Sequence, residues 1–170
     1  HVSYLDPLTT AHFVYDHGRI PRSLAKRSLF QVPFVGALLA NAGQIPVDRS
    51  TRNAADAYAA AVQAVRDGEC VVMYPEGTLT RDPDLWPMKA KTGAARIALE
   101  TGCPVIPVGH WGAQDVLAPY AKRLHVVPRR MVTFSAGDPV DLEDLLATPS
   151  DPGAALEASD RIMAAITALA

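Results

Sequence analysis

The sequence predicts an α/β fold, in which a mixed, largely parallel sheet is flanked by helices. The chain has 170 residues, of which 49% are hydrophobic, and this suits a single soluble domain. Helix-forming stretches alternate with short apolar runs, an order that gives parallel strands joined by right-handed crossovers. The run at residues 70–74 is unbroken and apolar, as a strand buried on both faces requires. We therefore expect one domain over residues 1–170.

The predicted elements follow from local signals. Two helix–strand units are the clearest: their helices open at Asn53 and Thr92, which can act as caps, and stop at Gly68 and Gly102. Prolines in the strand after Gly102 place that strand near an edge or leave it incompletely paired. The expected helices cover 5–17, 32–41, 53–66, 92–101 and 154–169, and the expected strands cover 22–26, 44–47, 70–74, 104–108 and 131–135.

The composition limits the kinds of partner and compartment that suit this protein. The net charge of −2 gives no global reason to bind nucleic acid or an anionic bilayer, so an anion site must come from local clustering of Lys and Arg. Cys70 and Cys103 lack metal-ligand spacing and favour a reducing compartment. No apolar run reaches the ~18 residues of a membrane span. Because the chain begins with His, we expect an upstream segment, which could carry a membrane anchor.

Two motifs carry candidate chemistry. Ser3 and Asp6 have capping-box spacing, so the carboxylate at the helix start reaches back toward His1. A carboxylate bound to one imidazole nitrogen fixes the tautomer and leaves the other nitrogen free to take a proton. The alternative is a plain helix cap beside a solvated histidine. At the end of the third strand, Pro75 and Gly77 turn the chain sharply and present Glu76 at the sheet edge; the alternative is an ordinary turn with a solvated Glu.

A set of basic residues is the third candidate feature, as a site that binds phosphate. Singly, each is more often a solvated surface charge. Lys91 is more informative, because it precedes a helix whose free N–H groups favour phosphate. The set comprises Lys26, Arg27, Arg49, Arg52, Arg81, Lys89 and Lys91.

Together these segments resemble the glycerolipid acyltransferase family typified by 1-acylglycerol-3-phosphate acyltransferase. His1, Ser3 and Asp6 match its H-x-S-x-x-D block. The remaining blocks run in the family's order: the short basic segment at 25–30, the I-x-x-D-R-like segment at 44–49, the P-E-G-T block at 75–78 and the G-x-P-[IV]-[IV]-P-V-like segment at 102–108. The resemblance covers residues 1–108.

This resemblance implies an O-acyltransferase that uses acyl-CoA or acyl-carrier protein, needs no cofactor or metal, and gives phosphatidate from lysophosphatidate for phospholipid synthesis. It implies the membrane surface as a partner and a peripheral or anchored location on the cytoplasmic side of the cell membrane. The implied catalytic residues are His1, Asp6 and Glu76; the implied phosphate ligands are Lys26, Arg49, Arg81 and Lys91; Ser3, Gly77 and Thr78 would shape the site.

Several alternatives stay open. The family usually has Arg directly after P-E-G-T, where this chain has Leu79, so glycerol 3-phosphate, another lysophospholipid or a glycolipid could be the acceptor. His1, Asp6, Glu76 and His110 could instead serve a metal-dependent hydrolase, although they lack ligand-pair spacing. A non-catalytic lipid-binding module is the third alternative. The apolar segment around Trp86 either pins its loop or contacts acyl chains or a membrane interface.

Overall fold

A computed structural model describes residues 1–47, 54–121 and 123–169. The chain divides into two compact units, one formed by His1–Phe13 with Tyr74–Ala170 and the other by Val14–Met73. The mixed α/β class predicted from the sequence is confirmed, since helices accompany a parallel sheet and an antiparallel strand pair. The assignment of residues 1–170 to one domain stays a prediction.

The unit Val14–Met73 contains a three-stranded sheet in the order β2-β1-β3. Strands β1 (Pro21–Lys26), β2 (Ile45–Val47) and β3 (Cys70–Val72) are all parallel, with Leu24 opposite Ile45 and Pro21 opposite Cys70. A 3-10 helix (Arg27–Gln31), α2 (Val35–Asn41) and α3 (Ala54–Arg66) complete the unit. Strand β3 is shorter than predicted and only half-buried, so the expectation of burial on both faces was wrong.

The other unit holds an antiparallel pair, β4 (Val108–Trp111) with β5 (Thr133–Ala136), in which His110 lies opposite Phe134. Its helices are α1 (Asp6–Asp16, of which the part up to Phe13 belongs here), α4 (Gly93–Thr101), α5 (Ala113–Val116), a 3-10 helix (Glu143–Leu145) and α6 (Pro152–Thr167). The core of this unit lies between α4 and α6, where alanines allow close approach of the two helices. Its buried residues are Ala95, Ala98, Leu99, Leu142, Ala154, Ala155, Ala158 and Ile162.

Proline explains why the fourth strand was misplaced. We predicted a strand at 104–108, whereas β4 begins only at Val108. Pro104 and Pro107 have no N–H to donate, and the carbonyl groups of Val105 and Pro107 instead accept from Val140 and Gly137 at 2.9 and 3.0 Å. The prolines therefore interrupt the ladder, and regular pairing starts at Val108, after Pro107.

Helix ends agree with the glycine signals but not with the threonine cap. Gly68 and Gly102 have φ of 79° and 65°, the left-handed conformation expected after a helix. Thr92 precedes α4 without a side-chain capping hydrogen bond, so that expectation was wrong. The C-terminal helix starts earlier than predicted because Asp151 accepts from the N–H groups of Gly153 and Ala154. Asn53 lies outside the described residues.

Among the described helices, none combines the length and the apolar character needed to cross a bilayer.

Candidate active site

The first turn of α1 organises the site through one carboxylate oxygen. Oδ2 of Asp6 accepts hydrogen bonds from the main-chain nitrogens of Val2 and Ser3, at 2.6 and 2.9 Å. The same oxygen lies 2.6 Å from Nδ1 of His1. Asp6 is completely buried, and its Oδ1 has no hydrogen-bond partner among the residues that the structure describes. The helix start therefore holds the segment before it, and the imidazole with it, around a single oxygen atom.

His1 is held by its main chain as well as by its ring. Its main-chain nitrogen donates to Oε1 of Glu76 at 2.8 Å, and its carbonyl oxygen accepts from the N–H of Thr80 at 2.7 Å. Its ring stacks on Tyr74 with centroids 4.3 Å apart. Nε2 makes no hydrogen bond within the part of the chain that the structure describes, and the side chain keeps 14% of its surface exposed. This nitrogen is therefore available to an incoming group.

Ser3 departs from the simple capping box. Its Oγ donates to the carbonyl oxygen of Leu117 at 2.7 Å and accepts from the N–H of Leu5 at 3.1 Å. The N–H of Asp6 is instead bound by the carbonyl oxygen of Ser3 at 3.2 Å. Only the carboxylate half of the predicted box forms, and the buried hydroxyl ties the helix start to a segment 114 residues away.

The P-E-G-T corner presents Glu76 inward, which overturns the alternative of a solvated Glu. Its Oε2 accepts from the N–H of Met88 at 2.9 Å while Oε1 receives His1, so both oxygens bind main-chain nitrogens. The turn closes through a 2.9 Å bond from the N–H of Gly77 to the carbonyl of Tyr74, with Gly77 at φ of 70°. In this arrangement Glu76 positions the segment of His1.

Lys91 lies against the same corner. Its N–H donates to the carbonyl oxygen of Pro75 at 2.9 Å, and a Cβ placed on Gly77 would come within 3.1 Å of its Nζ. Lys91 is exposed and precedes α4, whose first N–H groups receive no capping side chain from Thr92. A cation therefore directly precedes the start of a helix, an arrangement that suits a phosphate. Thr78, the next residue of the corner, is half-buried.

Buried aromatic and polar groups surround the pair of His1 and Asp6. The hydroxyl of Tyr74 lies 2.7 Å from Oγ1 of Thr10, and burial raises the pKa of this phenol so that it stays protonated. Burial also raises the pKa of the Asp6 carboxyl, an effect opposed by the nearby His110 and by the two main-chain donors. A raised pKa means that Asp6 takes up a proton at higher pH than an ordinary aspartate.

His110 is part of this cluster, and the sequence pointed to it only in the alternative of a metal-dependent hydrolase. Its Nε2 lies 3.7 Å from Oδ2 of Asp6, and its side chain is 9% exposed. Its Nδ1 is buried, and no atom of the described part of the chain forms a hydrogen bond with it. Burial lowers the pKa of His110 and favours the neutral ring. The ring also contacts Phe134, with centroids 5.6 Å apart, and the edge of Tyr74 at 6.3 Å.

The structure describes two of the three remaining predicted phosphate ligands, Arg81 and Lys26. Arg81 is exposed in the loop after the corner, and its N–H donates to Sδ of Met88 at 3.3 Å. Lys26 is exposed at the end of β1 in the other unit. Arg49 lies outside the described residues. Leu79 is 3% exposed and belongs to the interior, so this residue cannot present a phosphate-binding group.

Sequence reasoning did not find several groups that hold the site together. Thr10, Met88 and Leu117 each bind a site residue across 12 to 114 positions of sequence. The sequence around these residues does not indicate this role. Met88 and Leu117 contribute only main-chain atoms to these bonds, and Thr10 is an ordinary helix residue.

The class of protein follows from these observations: an α/β protein whose helix-start carboxylate holds a histidine beside a P-E-G-T corner and an exposed lysine. A family model described as Acyltransferase matches residues 1–111. The chain therefore belongs to the acyltransferase family.

Individual relatives agree with this assignment. The chain is 38% identical over 109 residues to the 1-acyl-sn-glycerol-3-phosphate acyltransferase of Borreliella burgdorferi, covering 64% of this chain and 42% of that protein. It is 30% identical over 118 residues to the chloroplastic 1-acyl-sn-glycerol-3-phosphate acyltransferase BAT2 of Brassica napus, covering 69% and 33%. The crystal structure of the 1-acyl-sn-glycerophosphate acyltransferase PlsC of Thermotoga maritima shares the fold at a TM-score of 0.58 and 23% identity, covering 85% of this chain and 54% of that one. The chain thus spans about a third to a half of the length of these proteins.

Proposed function

We propose that this chain transfers a fatty acyl group from acyl-CoA or acyl-carrier protein to the free hydroxyl of lysophosphatidate, giving phosphatidate. The observation that carries the proposal is the 2.6 Å contact between Nδ1 of His1 and Oδ2 of Asp6, which leaves Nε2 as the proton acceptor. Membership of the acyltransferase family and the names of the relatives support the reaction and the acceptor.

The chemistry is a direct transfer. Nε2 of His1 takes the proton of the acceptor hydroxyl as its oxygen attacks the thioester carbonyl; the new ester C–O bond forms, the C–S bond breaks, and the leaving thiolate receives the proton. Asp6 stabilises the imidazolium between the two proton transfers. General-base assistance of this kind contributes roughly 10²–10⁴ in rate. The acceptor hydroxyl needs this help because it is a weak nucleophile at neutral pH.

Binding of the acceptor phosphate would orient the acceptor hydroxyl in the site. Lys91 beside Gly77 and the uncapped start of α4 are the described groups that best suit it. Lys26, Arg49 and Arg81 are further proposed ligands, and Gly77 and Thr78 shape the corner. Because acceptor and product are amphiphiles, we also propose that the protein works at a membrane surface on the cytoplasmic side, peripherally or through an anchor.

The test is release of free thiol from acyl-CoA and from acyl-carrier protein in the presence of lysophosphatidate. The His1→Ala protein should lose about 10²–10⁴-fold in turnover. His125→Ala is the matched control, since His125 is exposed and its N–H donates to the carbonyl of Val116, a bond that the substitution keeps. Turnover of His1→Ala at the level of the control would end the proposal.

The acceptor panel separates lysophosphatidate from its alternatives. Leu79 is buried where the family usually has Arg, so one contact expected for the acceptor phosphate is missing. Glycerol 3-phosphate, other lysophospholipids and a glycolipid therefore belong in the panel, and a higher kcat/KM for any of them would replace lysophosphatidate. The hydrolase alternative gains no support, because the described residues include no group of three or more His, Cys, Asp or Glu placed to share a metal ion.

A further inference from the structure

His110 shares its two nearest polar and aromatic neighbours with His1. Its Nε2 is 3.7 Å from Oδ2 of Asp6, the same oxygen that lies 2.6 Å from Nδ1 of His1. Tyr74 contacts both imidazole rings: it stacks on His1 with centroids 4.3 Å apart and meets His110 at right angles at 6.3 Å. Two histidines therefore share one carboxylate, and the acyl transfer described above uses only one of them.

Aromatic contacts hold the ring of His110 in this place. On the antiparallel strand pair His110 lies opposite Phe134, and the two ring centroids are 5.6 Å apart. Phe134 also stacks on Phe13 of α1, with centroids 4.8 Å apart. Asp6 and Phe13 are seven positions apart on α1, which is about two helical turns, so they lie on one face of the helix. The face of α1 that carries Asp6 is therefore packed against the strand pair that carries His110.

The buried ring has one tautomer that suits its surroundings. The side chain is 9% exposed, and burial lowers the pKa of His110, so the neutral ring is favoured. Nδ1 is buried and forms no hydrogen bond with the atoms that the structure describes. A proton on Nδ1 would leave a buried N–H unpaired, whereas a proton on Nε2 lies on the nitrogen that faces the carboxylate. The second tautomer therefore brings the positive end of the ring dipole to Asp6.

Asp6 is the charged group that acts most strongly on His110. The titratable side chains that face His110 belong to α1, to the segment before it and to residues 74–76: Asp6, His1, Tyr74 and Glu76. Both oxygens of Glu76 already bind main-chain N–H groups, and burial raises the pKa of Tyr74, which stays neutral. A distance of 3.7 Å is too long for a hydrogen bond, but a buried dipole and charge interact there with little screening by water.

We propose that His110 is a positioning residue for acyl transfer: acting through Asp6, its Nε2–H keeps the pair of Asp6 and His1 unprotonated, so that Nε2 of His1 can accept the proton of the acceptor hydroxyl. The positive end of the His110 dipole stabilises the ionised carboxylate. It also opposes the binding of a further proton by the pair, whether the imidazole or the carboxylate takes that proton. The inference rests on the proposed function, since it assigns a part in the same reaction.

The dependence of kcat/KM on pH tests this role in the full chain, with thiol release in the presence of lysophosphatidate as the assay. His110→Phe keeps a ring beside Phe134 but removes the N–H, so the pair should take up its proton at higher pH. The acidic limb of the profile should move upward by about half a pH unit, which lowers kcat/KM about threefold on that limb. The plateau above the limb should stay close to that of the parent, because His110 does not contact the reacting atoms.

Two further variants separate the N–H from the shape of the ring. His110→Gln should restore the limb to its position in the parent, because its amide N–H can take the place of Nε2–H. His110→Asn has a shorter amide that does not reach this place, so it should show the same displacement as His110→Phe. His125→Phe is the matched control, since His125 is exposed.

A second measurement does not depend on turnover. The midpoint of the titration of the His1 ring, followed by NMR, should lie at higher pH in His110→Phe than in the parent and should be nearly unchanged in His110→Gln. If the parent does not acylate lysophosphatidate, the proposed function fails, and the NMR titration alone decides about His110. Superimposed pH profiles of His110→Phe and the parent would overturn the proposal. A lower plateau in all three His110 variants without movement of the limb would also overturn it, because that result is expected of a purely structural ring.

Discussion

Replacing Asp6 by Asn tests how the imidazole of His1 is activated. The change keeps the shape of the side chain but removes its charge and half of its acceptor capacity. In the structure one oxygen, Oδ2, serves Val2, Ser3 and His1 together at 2.6 to 2.9 Å. The amide oxygen of Asn can still accept from the two main-chain N–H groups, so the helix start should persist.

The loss should therefore fall on catalysis. With a neutral partner, the tautomer that carries its proton on Nε2 becomes competitive and the developing imidazolium loses its counter-charge. We expect kcat to fall about 10²–10⁴-fold, equivalent to about 2.7–5.5 kcal/mol of barrier. Stability should change much less, because weaker hydrogen bonds to a neutral acceptor, about 1 kcal/mol each, are offset by removal of a buried charge.

Thiol release and thermal unfolding measured on the same preparations separate the two effects. Asp138→Asn is the matched control, since Asp138 is exposed. Turnover of Asp6→Asn within a few-fold of that control would refute the reasoning about the tautomer. Complete unfolding would refute the assignment of a mainly catalytic role.

Three further changes probe the groups around the pair. Glu76→Gln should lower kcat by roughly tenfold by loosening the main chain of His1, with KM for the thioester little changed, and steady-state kinetics on both substrates would show a different split if Glu76 contacted substrate. Thr10→Val should cost about 1–3 kcal/mol of stability, because the buried hydroxyl of Tyr74 loses its 2.7 Å partner; an unchanged denaturant midpoint would contradict this. His110 has a lowered pKa in the folded protein, so the unfolded chain binds a proton more readily than the folded one. The free energy of unfolding should therefore fall as pH drops below about 6.5. His110→Gln should flatten this part of the curve of unfolding free energy against pH, and identical slopes for variant and parent would exclude the effect.

The sequence predicted best what depends on local geometry. The contact of Asp6 with residues 1–3 follows from capping-box spacing, and the turns at Gly68 and Gly102 follow from the conformational freedom of glycine. Each involves atoms within a few positions of one another, so propensity and spacing carry the information.

What the sequence could not provide was the long-range closure of the site. Glu76 binds His1 across 75 positions and Ser3 binds Leu117 across 114, through a main-chain atom on one side of each bond. Main-chain atoms are the same at every residue, so the residue types in a sequence do not indicate which main-chain atom will bind a given side chain. Burial of Glu76 was missed for the same reason, because a carboxylate is buried only where donors from elsewhere converge on it.

Gly77 has no side chain, and this determines where the positive charge of Lys91 lies in the site. With φ of 70° and no side chain, this residue leaves a recess that the aliphatic stem and ammonium of Lys91 lie against, at 3.1 to 3.4 Å from the place where a methyl would stand. An alanine there would push the cation outward by a few tenths of an ångström and pay for an unfavourable backbone as well. The absence of a Cβ at Gly77 thus determines where the ammonium of Lys91 lies. At this position of the corner, even the smallest side chain would move the positive charge.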